Sequence, residues 1–164
     1  MPLSDPLTRR SDALRFVATR LMLPTINEVV RTPGIGEAYR ITVQYHDGRA
    51  PEQVATLTIG QAQAGRAELI VRYRRLDTAP LTLMPLIAVE RARALAAGLR
   101  TLGFDRLDDM PDLPWHGADL WLIERAVGNF VRDVVLAPQS ATQVYATLVG
   151  LVNTYLHEAI RPLH

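Results

Sequence analysis

The stretch Ala118 to Arg161 constrains the chain most, because it reads as a strand, a tight turn, a second strand and a long closing helix. Asp119 to Ala126 (DLWLIERA) and Phe130 to Ala137 (FVRDVVLA) are rich in β-forming residues, and Val127-Gly128-Asn129 supplies the turn between them. In the first of these strands Leu120 and Leu122 alternate with Trp121 and Ile123, so both faces are apolar and both need cover. After Pro138, Ser140 with Gln143 three residues later forms a capping-box pattern, and the helix is expected to run to Ile160. Its apolar stripe includes Leu148, Val152, Tyr155 and Leu156, and Val144 and Leu151 widen it on one flank. A stripe this wide exceeds what one face of one sheet usually covers.

Upstream, Met1 to Arg10 holds two prolines and is expected as a disordered lead-in, leaving residues 11–164 as a single domain. Ser11 is placed to cap a short helix with Leu14, Val17 and Leu21 on one face, ended by Pro24. Thr25 to Arg31 fits neither period cleanly and is read as a short strand, with an extension of the helix as the other reading. Glu37 to His46 is the clearest strand of this half. Tyr39, Ile41, Val43 and Tyr45 form an apolar face, and Arg40, Thr42, Gln44 and His46 a wet one. Gln53 to Ile59 and Arg66 to Arg75 follow as strands through short connections, which makes a meander. Asp77 to Pro85 is read as a connection to a helix from Leu86 to Leu102, which Gly103 and Phe104 close in a Schellman arrangement. Gly98 inside that helix points to a close approach to the sheet.

The fold class that follows is α+β. An antiparallel sheet, a meander of three or four strands plus the C-terminal hairpin, carries a short N-terminal, a central and a long C-terminal helix on one face. This order of elements resembles the layout of the secretion-chaperone-like domains, small dimers that hold client segments. The resemblance is in layout; no motif is shared, and the mildly basic composition departs from the acidic members of that group.

Composition narrows function by exclusion. The 164 residues contain no cysteine, which removes disulfides, thiolate zinc sites and a cysteine nucleophile. All basic residues are arginine, and 17 acidic residues are interleaved with them to a net charge of +1, so no single-sign field is expected. No stretch approaches the ~18 apolar residues of a membrane span, so no membrane is expected and a cytoplasmic location follows by default. No cofactor is expected.

Three groups of residues carry chemistry. The loop Asp105 to Gly117 and the strand after it bring Asp105, Asp108, Asp109, Asp112, His116 and Asp119 close in sequence, oxygen and imidazole ligands suited to a divalent ion or small molecule. Their spacing matches no EF-hand loop, and aspartates gather in loops to make turns. His116 as a general base lacks a nucleophile to activate, and Trp115 is read as a plug at the edge of the core. Arg72 and Arg74, with Arg40 on a neighbouring strand, offer a face for single-stranded nucleic acid, but Tyr73 falls on the opposite face, which separates stacking from charge. Pro33-Gly34-Ile35-Gly36 precedes a strand and so lacks the helix N-terminus of a phosphate site.

The leading expectation is therefore a non-enzymatic domain acting through protein contact, as a homodimer or a peptide holder. Leu120, Leu122, Val144, Leu151 and Tyr155 are the expected contact residues. A metal or small-molecule site at residues 105–119 is the alternative, and nucleic acid ranks last.

Overall fold

A computed structural model describes residues 6–62, 65–114 and 116–164. Period-two alternation produces six strands, Ile35–Gln44 (β1), Gln53–Gly60 (β2), Ala67–Tyr73 (β3), Leu81–Leu83 (β4), Leu120–Val127 (β5) and Phe130–Leu136 (β6). They form one antiparallel sheet in the order β4-β3-β2-β1-β5-β6. The meander has four strands. Its fourth is β4, within the stretch expected as a connection. The hairpin closes through Gly128 at φ 56, paired Val127 to Phe130, as a two-residue loop with glycine at its first central position.

The helices are Pro6–Arg20 (α1), Ile26–Val30 (α2), Val89–Leu102 (α3) and Val144–Tyr155 (α4). α3 and α4 pair with each other and bury Leu95, Leu99, Leu148 and Val152 against Tyr39, Ile41, Leu57 and Ile123. The N-terminal helix does not join them. Val17, Ala18 and Leu21 of α1 pack on Val54, and Ile26 and Val30 of α2 pack on Ala38 and Ala126. The strand neighbours of Val54 and Ala38, namely Ala55 and Tyr39, point into the other core. The sheet is thus covered on both faces by its own chain, which corrects the expectation of helices on one face alone. The expected wet face of β1 is polar but buried: Arg40 is 2% and Thr42 0% exposed.

Local chemistry explains the other differences. Thr25 to Arg31 is helical because Thr25 and Glu28 form a complete capping box, the Thr25 N–H donating to Glu28 Oε2 at 2.7 Å and the Glu28 N–H to Thr25 Oγ1 at 3.2 Å. α1 starts at Pro6, so Ser11 lies inside it and residues 6–10 belong to the helix; residues 1–5, the rest of the expected lead-in, lie outside the described residues. The closing helix is shorter than expected. Ser140 sits in a separate 3-10 turn, Gln143 at φ 54 makes no side-chain cap, and the chain leaves α4 for a second 3-10 turn at His157–Ile160. Gly103 at φ 81 ends α3 as expected, its N–H donating to Arg100 and Leu99 carbonyls, with Phe104 buried behind it. Gly98 faces α4 rather than the sheet: a Cβ there would stand 2.7 Å from Leu151 Cδ2.

Candidate functional site

The acidic loop comes first, since its residues were the expected ligands. Asp105, Asp108 and Asp109 each go to a different partner. Asp105 accepts two hydrogen bonds from Arg125 at 3.0 and 2.9 Å, and Asp108 pairs with Arg132 at 3.1 Å. Asp109 Oδ1 accepts from the Val135 N–H at 2.8 Å, and burial pushes its carboxyl above the ordinary range. Asp112, at φ 55, and His116 are exposed, and Trp115 lies outside the described residues. These six residues do not converge on one centre.

What the loop does instead is finish the sheet. The Met110 N–H donates to the Val135 carbonyl at 2.9 Å, next to the bond from Val135 to Asp109. Arg132 Nη2 donates to the Leu107 carbonyl at 2.6 Å, and the Tyr145 hydroxyl donates to the carbonyls of Asp108 and Asp109 at 2.8 and 3.1 Å. Residues 109 and 110 therefore occupy the outer hydrogen-bonding edge of β6 at Val135, which would otherwise be open to pairing with another chain.

Asp119 anchors the opposite end of β5. It is 3% exposed and accepts from the His46 N–H at 3.1 Å, from His46 Nδ1 at 2.8 Å, from Gln139 Nε2 at 2.7 Å and from both Nη atoms of Arg49. Burial pushes its carboxyl up, but the bonds from Arg49, His46 and Gln139 outweigh that and hold it well below the usual carboxylate range. His46, Asp47 and Asp119 bring potential metal-ligand atoms within 4.8 Å of one another, the one such group among the described residues. A cation there would have to displace Arg49, because its guanidinium already engages both Asp119 oxygens. The Asp119–His46 pair also orients an imidazole, yet among the described residues no hydroxyl bonds to its Nε2. The geometry is that of a structural tie between the loop at residues 46–49, β5 and the turn at Gln139.

The expected nucleic-acid face is also occupied. Arg40 donates through Nε to Thr56 Oγ1 at 3.1 Å and through Nη1 to the Pro24 carbonyl at 2.7 Å. Arg72 reaches the Leu21 carbonyl at 2.8 Å and Thr82 at 3.2 Å, and Arg74 pairs with Glu52 at 3.2 Å. Two of the three arginines thus satisfy carbonyls at the C-terminal end of α1 and in the connection to α2, a position that favours cations.

The expected contact residues are largely used within the chain. Leu122 is fully buried and shares the core with Leu14 of α1; Leu120, Leu151 and Tyr155 are half-buried against the main core, and Val144 is half-buried. Leu151 fills the space that Gly98 leaves open on α3. Exposed apolar side chains remain at Phe16 and Met22 near the end of α1 and at Phe130 and Val131 at the start of β6, and the largest group lies at the other edge of the sheet. Leu76 is 79% exposed, Leu83 42%, Met84 61% and Leu86 97%. These residues flank or form β4, whose outer side pairs with no other strand among the described residues. The sequence signal for this strip was the run Leu81 to Leu86 (LTLMPL), hidden by Pro80 before it and Pro85 within it, which favoured a loop.

Among the described residues no helix is long and apolar enough to cross a membrane. No protein-family model matches the chain, and no curated protein matches it significantly.

Proposed function

We propose that the protein acts through protein contact, as a homodimer joined along the outer edge of β4, rather than through catalysis. The observation that carries this reading is the contrast between the two edges of the sheet. β6 is closed at Val135 by Asp109 and Met110, whereas among the described residues no strand pairs with the outer side of β4, which is surrounded by Leu76, Leu83, Met84 and Leu86. An open edge strand with exposed apolar side chains is a template for pairing unless something covers it. A second copy fits that role: antiparallel pairing of β4 with itself about a twofold axis is isologous, so one short apolar strip supplies both halves of the contact.

The contact is thereby moved from the hairpin and closing helix, where Leu122 is buried and Leu120, Val144, Leu151 and Tyr155 are half-buried within the chain, to β4. The test is light scattering at micromolar concentration on the wild type and on Leu86→Glu, a substitution at a fully exposed position that leaves the fold intact. A dimeric wild type and a monomeric variant are expected. A variant that remains as associated as the wild type refutes the assignment to this edge.

A further inference from the structure

A second feature lies on the face of the sheet covered by α1 and α2. A cavity of about 270 Å³ opens between the end of α1, the connection at Leu23 to Thr25, the start of α2 and the strands β1 and β5. This is near the lower end of volumes that hold small ligands. Its walls are apolar at Ala18, Leu23, Pro24, Ile26 and Val131. Of its six polar side chains, Arg15, Thr19, Thr25, Asn27, Arg40 and Glu124, the last three have bonding capacity left over.

Arg40, 2% exposed, uses Nε and Nη1 on Thr56 and Pro24, while Nη2 is buried with no acceptor. Glu124 faces Arg40 across the β1–β5 pair and is 6% exposed. Among the described residues nothing donates a hydrogen bond to its carboxylate, and the nearest cation beyond Arg40 is Arg15, Nε at 3.9 Å. Arg15 itself is held by Asp12 at 3.0 Å and by Asp133. Asn27 Oδ1 is buried and has no donor. Buried polar groups are nearly always paired, since an unmet one costs on the order of 1–3 kcal/mol. One Arg40 nitrogen without an acceptor, a carboxylate without a hydrogen-bond donor and an amide oxygen without a donor, set around one cavity, amount to an unfilled donor–acceptor set.

We infer that this cavity binds a small zwitterion of the apolar α-amino acid class. Its carboxylate accepts from Arg40 Nη2, its ammonium donates to Glu124 and to Asn27 Oδ1, and its side chain lies against Leu23, Ile26 and Val131. Charge selects this class. Arg40 and Glu124 balance each other, and Arg15, which also lines the cavity, is matched by Asp12 and Asp133, so a net anion leaves Glu124 opposed and a net cation leaves Arg40 opposed. A zwitterion meets both. The site lies away from the β4 edge and stands independently of self-association.

The experiment is calorimetric titration of the full chain with L-leucine, leucinamide and N-acetyl-L-leucine at millimolar concentration. L-Leucine is expected to bind, with the two blocked forms weaker by about tenfold or more because each loses one charged end. Glu124→Gln is expected to weaken L-leucine by about tenfold. Asn27→Ala, on a half-buried side chain whose loss leaves the fold intact, is expected to weaken it in the same sense. No heat from L-leucine overturns the inference, as does binding of either blocked form as tight as L-leucine, or unchanged affinity in Asn27→Ala.

Discussion

Replacing Arg40 by Met tests whether the polar face of β1 is truly interior. The guanidinium is 2% exposed, so the substitution removes a buried charge and two hydrogen bonds, to Thr56 and to the Pro24 carbonyl. It also leaves Glu124, 6% exposed, with Arg15 at 3.9 Å as its remaining cation. Arg40 and Glu124 are cross-strand neighbours of opposite charge rather than a direct salt bridge, and leaving one of two such buried charges uncompensated costs about 3–5 kcal/mol. For a chain of this size each 1 kcal/mol moves the melting point by about 2–4 °C, so a fall of about 6–20 °C is expected. Replacing both partners, Arg40→Met with Glu124→Met, removes the orphaned charge, and the double variant should recover at least about 1 kcal/mol of the single variant's loss. Urea unfolding followed by circular dichroism measures each member of the cycle, with the slope checked for constancy. A loss below about 1 kcal/mol for Arg40→Met, the value of an exposed pair, would refute the claim that α1 and α2 bury this face.

Three further outcomes follow from the same structure. Leu148→Ala, at a fully buried site in the core between α4 and the sheet, should cost about 2–5 kcal/mol in thermal or urea unfolding. Gly103→Ala, at φ 81, should cost about 1–2 kcal/mol, because the left-handed conformation that ends α3 is unfavourable for a side chain. Asp119 is held below its unfolded value, so its contribution is present above about pH 4 and is lost as the pH falls through the folded value. Glu124 and Asp109, pushed upward by burial, act in the opposite sense, so the test compares the pH dependence of unfolding in the wild type with Asp119→Asn. The variant should lose the acid-side decline assigned to Asp119.

The sequence showed the core well and the second layer badly, for one physical reason. Alternation marks which side chains are apolar, and Tyr39, Ile41, Val43, Leu57, Leu69, Val71, Trp121, Ile123 and Val134 are all buried where alternation put them. Alternation does not say whether a polar side chain is wet. Arg40 and Arg72 read as a solvated face, yet Arg40 is buried and Arg72 half-buried, their guanidinium groups satisfying the backbone carbonyls of Pro24 and Leu21. The two-faced apolar character of Leu120 to Ile123 did point to cover on both sides, and the cover comes from Leu14 of α1 rather than from a partner. The acidic loop was legible as a cluster in sequence but not as a dispersal in space, since Arg125, Arg132 and the Val135 N–H come from the hairpin that follows. β4 was missed because three residues between prolines carry too little period to register, and the pairing of Thr82 with Arg72 across the strands is what makes them a strand.

The central claim is that the bare edge of β4 is covered by a second copy of the chain. The most direct measurement is the solution mass of the wild type across a dilution series by light scattering. The account predicts a mass of twice 18.2 kDa at micromolar concentration, falling toward 18.2 kDa on dilution. A mass of 18.2 kDa at every concentration would contradict it.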